Sequence, residues 1–98
     1  MMSIGVIATL KVQDGKNAEF EAVFTELAKA VRTNEPGNNY YELHKSREDS
    51  QVYVVMEQYK DQAALDAHGQ ADYFKSAGAS MGGLMGGAPE IEFFDSID

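Results

Sequence analysis

The 98-residue sequence has no cysteine, which excludes a disulfide scaffold, a thiolate nucleophile, cysteine-ligated zinc and an iron–sulfur cluster together. Basic residues are scarce. Eight Lys and Arg stand against sixteen Asp and Glu, a formal net charge of −8 that repels phosphate backbones and anionic lipid headgroups, so neither nucleic acid nor a membrane surface is expected as a partner. No run of about 18 apolar residues occurs, and Met1-Met2-Ser3 leads into an alternating segment with neither a basic n-region nor an apolar h-region. The expectation is a cytoplasmic protein. Internal repeats and low-complexity tails are also missing. What is present has the balance of a folded protein, with 44% hydrophobic and 24% charged residues, and the length fits one domain over residues 1–98. A domain of this size buries only ~60–65% of its unfolded surface, which makes self-association a natural source of further burial.

Ile4, Val6, Ala8, Leu10 and Val12 alternate with Gly5, Thr9 and Lys11, the period of a strand. After an Asp14-Gly15 turn, Phe20, Val23, Phe24, Leu27, Ala28 and Val31 recur at helical spacing, predicting an amphipathic helix with one buried stripe. Pro36 disfavours helical geometry in the residue before it, so this helix ends by Glu35. Tyr41 and Leu43 alternate with Tyr40, Glu42 and His44, and the polar cluster 46–50 separates them from a strand over 52–59, which predicts a hairpin. Asp61 is the expected N-cap of a helix carrying Ala64, Leu65 and His68, a further helical piece carries Tyr73, Phe74 and Ala77, and Pro89 introduces a last strand with Ile91, Phe93 and Phe94. The order βαββαβ predicts an α+β, ferredoxin-like antiparallel sheet with helices on one face. The strand over 52–59 is apolar on both sides, with Val52, Val54 and Met56 on one and Tyr53, Val55 and Tyr59 on the other, and Ile7 and Phe94 fall out of phase with their neighbours. Helices cover one face only, so the second face is expected to pack against another copy in a face-to-face homodimer.

Two residues stand out chemically. Glu57 sits inside an apolar strand, where an unpaired carboxylate is costly; it is either a structural partner of Lys45 or Arg47 across the hairpin, or a group that orients a substrate hydroxyl or a histidine. His68, with Gly69 after it, is either an imidazolium at a helix C-terminus or a proton-transfer group beside an aromatic wall of Tyr73 and Phe74. His44 is expected to be exposed. A metal set of His44, His68 and Glu57 matches no ligand-spacing motif, and no metal is expected. Residues 78–87 hold five of the nine glycines but no lysine, which rejects a phosphate loop and leaves a flexible connection or a lid whose Met81, Leu84 and Met85 close over an apolar ligand.

Glu35-Pro36-Gly37, Tyr41, Glu57-Gln58-Tyr59, Ala64-Leu65-Asp66-Ala67-His68 and Tyr73-Phe74, taken in order, resemble the antibiotic biosynthesis monooxygenase domain family over nearly the whole chain. The resemblance, closest to the quinol-monooxygenase branch, implies a dimeric α+β barrel of two ferredoxin-like subunits with a ligand cavity between sheet and helices. It also implies oxidation of a small quinol or polyphenol by molecular oxygen without metal, flavin or other cofactor. On this reading His68 is the general base, and Glu57 holds the substrate hydroxyl or steers the imidazole. Tyr41, Tyr59, Tyr73, Phe74 and Met81 line the substrate site, Tyr59 standing where many relatives carry tryptophan. The haem-degrading branch is similar to this chain but carries Trp, His and Asn about where His68, Gly78 and Ala8 lie, so haem is not expected. Two alternatives stay open: an isomerase of a small carbonyl or autoinducer-2-derived metabolite that uses the same histidine, for which a phosphorylated ligand would need inward Lys or Arg, and a non-catalytic dimer that binds a hydrophobic metabolite.

Overall fold

The computed structural model describes residues 2–97; the outermost positions of the 1–98 domain lie outside the described residues. The elements are β1 (Ile4–Lys11), α1 (Asn17–Asn34), β2 (Asn38–Lys45), β3 (Val52–Tyr59), α2 (Gln62–Gln70), α3 (Asp72–Met81), a short 3₁₀ turn over Gly82–Leu84, and β4 (Glu90–Asp95). All neighbouring strands are antiparallel, in the order β2-β3-β1-β4, and the helices lie on one face: the ferredoxin-like arrangement expected from the element order. Among the described residues no helix is long and apolar enough to cross a membrane.

The strand alternation decides which residues go inside. Val6 and Ala8 of β1 and Tyr53, Val55, Glu57 and Tyr59 of β3 point toward the helices and are buried, as is Tyr41 of β2. α1 answers with Phe20, Phe24, Leu27, Ala28 and Val31, all buried, the stripe its sequence spacing dictates. Phe24 stacks on Tyr41 with ring centroids 5.3 Å apart, and Phe20 meets Tyr53 at 4.7 Å, so aromatic contacts fix α1 across β2 and β3. The helix stops where Pro36 requires it: Glu35 leaves helical geometry at φ −116°, ψ 89°, and its amide still donates to the Val31 carbonyl at 2.9 Å.

The second crossover differs from a single helix. Asp61 caps α2 through a hydrogen bond from the Ala64 amide at 2.9 Å, but α2 runs on through Gly69 and breaks at Ala71, whose ψ of 138° is extended. Two short helices therefore follow β3, as the two helical pieces in the sequence suggest, with the break at Ala71 rather than at Gly69. The glycine-rich stretch after α3 is not a free lid. Leu84 is in the core, the Gln13 amide donates to its carbonyl at 2.8 Å, and the Gly86 amide donates to Lys11 at 2.7 Å. The Gln13 side chain holds the carbonyls of Gly83 and Met85 as well.

The other face of the sheet has no cover. Met56 and Tyr40 are each 42% exposed and Phe94 46%, and the pairings Ile7 with Met56 and Gly5 with Phe94 bring these apolar side chains together. β4 is an edge strand, exposed along its whole length.

Candidate functional site

Between the sheet and α2–α3 lies a cavity of about 290 Å³. Its floor is Val6, Ala8, Tyr41, Val55 and Glu57 of the sheet; α2 supplies Leu65, His68 and Gly69, α3 supplies Phe74, Gly78 and Met81, and Pro89, Ile91 and Phe93 form the β4 side. These are the helix faces that the spacing 65, 68, 69 and 74, 78, 81 puts in register. No lysine or arginine lines it. An open hollow of about 530 Å³ shares Leu65 and Phe93 with it and carries Asp66 and Asp95.

His68 is 4% exposed and is enclosed by three rings: Phe74 with its centroid at 4.5 Å, and Tyr41 and Tyr59 each at 5.2 Å. Its Nδ1 faces both carboxylate oxygens of Glu35, at 3.0 and 3.1 Å. A carboxylate only accepts, so the Nδ1 position carries the proton and donates it, and Nε2 is left to act as acceptor in the neutral ring. Among the described residues Nε2 has no protein partner, and no side-chain nitrogen or oxygen there is both sealed from the surface and unpartnered. Nε2 is therefore reached from the cavity that the ring lines. The Tyr73 hydroxyl donates to Glu35 Oε2 and completes the carboxylate's shell. Burial first, and then this bond to Glu35, push the Tyr73 phenol up to about 12.

Glu57 is held differently. The Tyr59 hydroxyl donates to its Oε1 at 2.7 Å, and among the described residues no cation pairs with it. Burial pushes its carboxyl up to about 7 against the opposing effect of the Tyr59 bond, with Glu35 adding a smaller push in the same direction. Burial, followed by the Glu57 charge, also raises Tyr41 and Tyr59 beyond the ordinary phenol range. The three phenols are thus donors at neutral pH, while Glu57 holds or releases a proton near neutrality.

Of the residues expected at a site, His68, Glu57, Tyr41, Phe74 and Met81 all line this one cavity. Tyr59 and Tyr73 do not line it; each stands behind and hydrogen-bonds a carboxylate. The anticipated ion pair of Glu57 with Lys45 or Arg47 is not formed, because Lys45 pairs instead with Glu21 at 3.0 Å. Nor does Glu57 steer the imidazole. That is the work of Glu35, which the sequence marks as a helix end and as part of the Glu35-Pro36-Gly37 segment but not as the partner of a histidine. A signal was available: a carboxylate at a helix C-terminus opposes the helix dipole and calls for a basic partner. His44 is exposed on the uncovered face, opposite Val54, away from His68 and Glu57. Among the described residues no three His, Asp or Glu side chains group as a metal-ligand set.

Gly37 makes this geometry accessible. A Cβ there would lie 2.6 Å from the Ala64 Cβ, so only glycine lets the strand entering β2 pass so close to α2. The Lys60 amide closes the contact by donating to the Gly37 carbonyl at 2.8 Å.

Comparison with known proteins accords with this architecture. Putative monooxygenase YcnE of Bacillus subtilis (strain 168) is 31% identical over 68 residues, 69% of this chain and 70% of that protein. A crystal structure from Caulobacter crescentus CB15, titled a putative antibiotic biosynthesis monooxygenase, is 52% identical with a TM-score of 0.97, over 99% of this chain and 92% of that one. PA3566 from Pseudomonas aeruginosa is 26% identical with a TM-score of 0.89, over 100% of this chain and 97% of that one. The family model described as antibiotic biosynthesis monooxygenase matches residues 3–80, and with the ferredoxin-like fold in place this chain belongs to that family.

Proposed function

We propose that this protein is a cofactor-independent monooxygenase of a small quinol or polyphenol, with His68 as general base and molecular oxygen as oxidant. The observation that carries the reading is His68 itself: Nδ1 held by Glu35, Nε2 open to an apolar cavity. A phenol bound with its hydroxyl at Nε2 loses its proton to the imidazole, and the imidazolium formed is stabilised by the Glu35 carboxylate. The electron-rich phenolate then donates an electron to oxygen. One oxygen atom enters the ring and the other leaves as water with two hydrogens of the substrate, so a quinol and oxygen give a hydroxyquinone and water with no external reductant. Enclosure of the cavity by Phe74, Leu65 and Met81 keeps bulk water from the intermediate. Glu57, protonated in part near neutrality, serves a second substrate oxygen as donor or acceptor.

The lining disfavours the isomerase alternative with a phosphorylated ligand, since the cavity offers no Lys or Arg and the hollow that shares Leu65 and Phe93 with it carries Asp66 and Asp95. The exposed Tyr40, Met56 and Phe94, with the half-buried Ile7 beside Met56, support a homodimer joined through the uncovered sheet faces. Sedimentation tests that part: a wild-type chain that stays monomeric at micromolar concentration contradicts it.

Oxygen uptake by metal-free protein across a panel of hydroquinones tests the reaction. Wild type is expected to consume oxygen, and His68→Ala to lose about 10²–10⁴-fold in rate. Activity untouched by the substitution removes His68 from the mechanism, and no uptake with any quinol overturns the monooxygenase reading.

A further inference from the structure

We propose that Gly69 and Gly78 determine which ligands the cavity admits by holding open its wall between α2, α3 and β4; the inference rests on the reading of the cavity as a site for aromatic hydroxyl compounds. On α2 the cavity-facing positions are Leu65, His68 and Gly69, and on α3 they are Phe74, Gly78 and Met81. Helix periodicity calls for a side chain at each of these positions, and two carry none.

Neither glycine answers a backbone need. Gly15 is the one described residue at positive φ, so 69 and 78 have ordinary helical geometry, where glycine costs about 1 kcal/mol relative to alanine. Neither answers a packing need. A Cβ at either position meets nothing within 4 Å, in contrast with Gly37. Both glycines are exposed and line the cavity together with Ile91 and Phe93 of β4, so what the missing side chains leave is open space at the cavity's rim. The same cavity receives the buried His68, whose Nε2 has no protein partner among the described residues. A ligand ring anchored by its hydroxyl at Nε2 therefore has room to extend past α2 and α3 toward β4. Side chains at 69 and 78 would occupy that room without touching the anchoring end. These residues act on ligand size and contribute nothing to proton transfer.

The test is anaerobic calorimetric titration with phenol and 1-naphthol, which share a hydroxyl and differ by one ring. Wild type, Gly69→Leu, Gly78→Leu and the double Gly69→Ala/Gly78→Ala variant are compared, with thermal unfolding as the control for folding. Wild type is expected to bind both probes. Each leucine variant is expected to weaken 1-naphthol relative to phenol by roughly ten-fold or more, on the scale of a few lost apolar contacts. The double alanine variant is expected to unfold at higher temperature and shift the same ratio two- to three-fold, which keeps the test decisive if a leucine variant fails to fold. An unchanged ratio in the folded variants, with wild type binding both probes, overturns the role of Gly69 and Gly78 and leaves the aromatic site standing. Equal weakening of both probes overturns it too, and a wild type that binds neither overturns this inference together with the aromatic site.

Discussion

Glu21 within α1 and Glu35 just beyond its end each take a tyrosine hydroxyl and a basic group, and solvent makes them different. Glu21 accepts from Tyr53 and pairs with Lys45 at 3.0 Å, with the two charged side chains 44% and 45% exposed. Glu35 accepts from Tyr73 and pairs with His68 at 3.0 Å, with side chains 8% and 5% exposed. The first cluster is a fastening at the sheet's rim: the bonds from Tyr53 and Lys45 hold the Glu21 carboxyl below its usual range, and Asn17 also donates to the Tyr53 hydroxyl. Water screens such a pair, and Lys45 has no lone pair to offer anything else. The second is dry, and its base has a second nitrogen. The same three kinds of group thus make a strut in one place and, under the proposed function, a proton acceptor in the other. Glu57 is a third variation, with a tyrosine and no base, and its carboxyl moves upward instead.

The largest contrast is expected in catalysis. Glu35→Gln, which no longer fixes the Nδ1 proton by charge, is expected to lower the oxygen-uptake rate by about 10²–10⁴-fold, whereas Glu21→Gln leaves it unchanged. Equal losses in the two variants would erase the distinction drawn above. Next comes the pH dependence of Glu57. A carboxyl whose folded pKa is raised costs nothing where both folded and unfolded chains hold the proton. The penalty accumulates as pH rises from the ordinary value near 4.5 to about 7, and stays constant above. Glu57→Gln should match wild type in urea unfolding near pH 4 and exceed it at pH 8 by up to about 3 kcal/mol; a pH-independent difference contradicts this. Glu21, with its lowered pKa, has the opposite sign: its contribution is present at neutral pH and lost as pH falls through the carboxylate range.

A smaller effect separates Glu35→Ala from Glu21→Ala in stability. Removing Glu35 strands the enclosed Nδ1 proton and the Tyr73 hydroxyl, at a cost of about 1–3 kcal/mol that salt should not alter. Glu21→Ala is expected to shift the unfolding midpoint less, and 0.5 M sodium chloride to shrink that shift further, because the charges lost are open to solvent. A salt-insensitive loss at Glu21 would place both clusters in the same class.

The pattern-bearing parts of the fold were legible in advance. The α1 stripe, the β2–β3 hairpin and the Asp61 cap each depend on neighbours within a turn or a strand, and the sequence carries that information locally. The break at Ala71 was not legible, since Gly69 is the stronger helix breaker by propensity, yet Gly69 stays helical and the chain turns extended two residues later. Glu35 escaped for a related reason: its partners lie 33 and 38 residues downstream, and only the crossover brings them together. His68 and Glu57 were visible because a lone titratable residue in an apolar pattern is anomalous wherever the chain later goes. Their separate partners were not, because strand pairing and helix docking, rather than spacing, decide which carboxylate reaches the imidazole.

The crowding at Gly37 gives the molecule a lever. Ala64, the residue a methyl group at 37 would strike, sits one helical turn before His68 on α2. Gly37→Ala would drive a wedge under that turn and tip the imidazole off its carboxylate, disarming the base from a position that touches neither ligand nor ring.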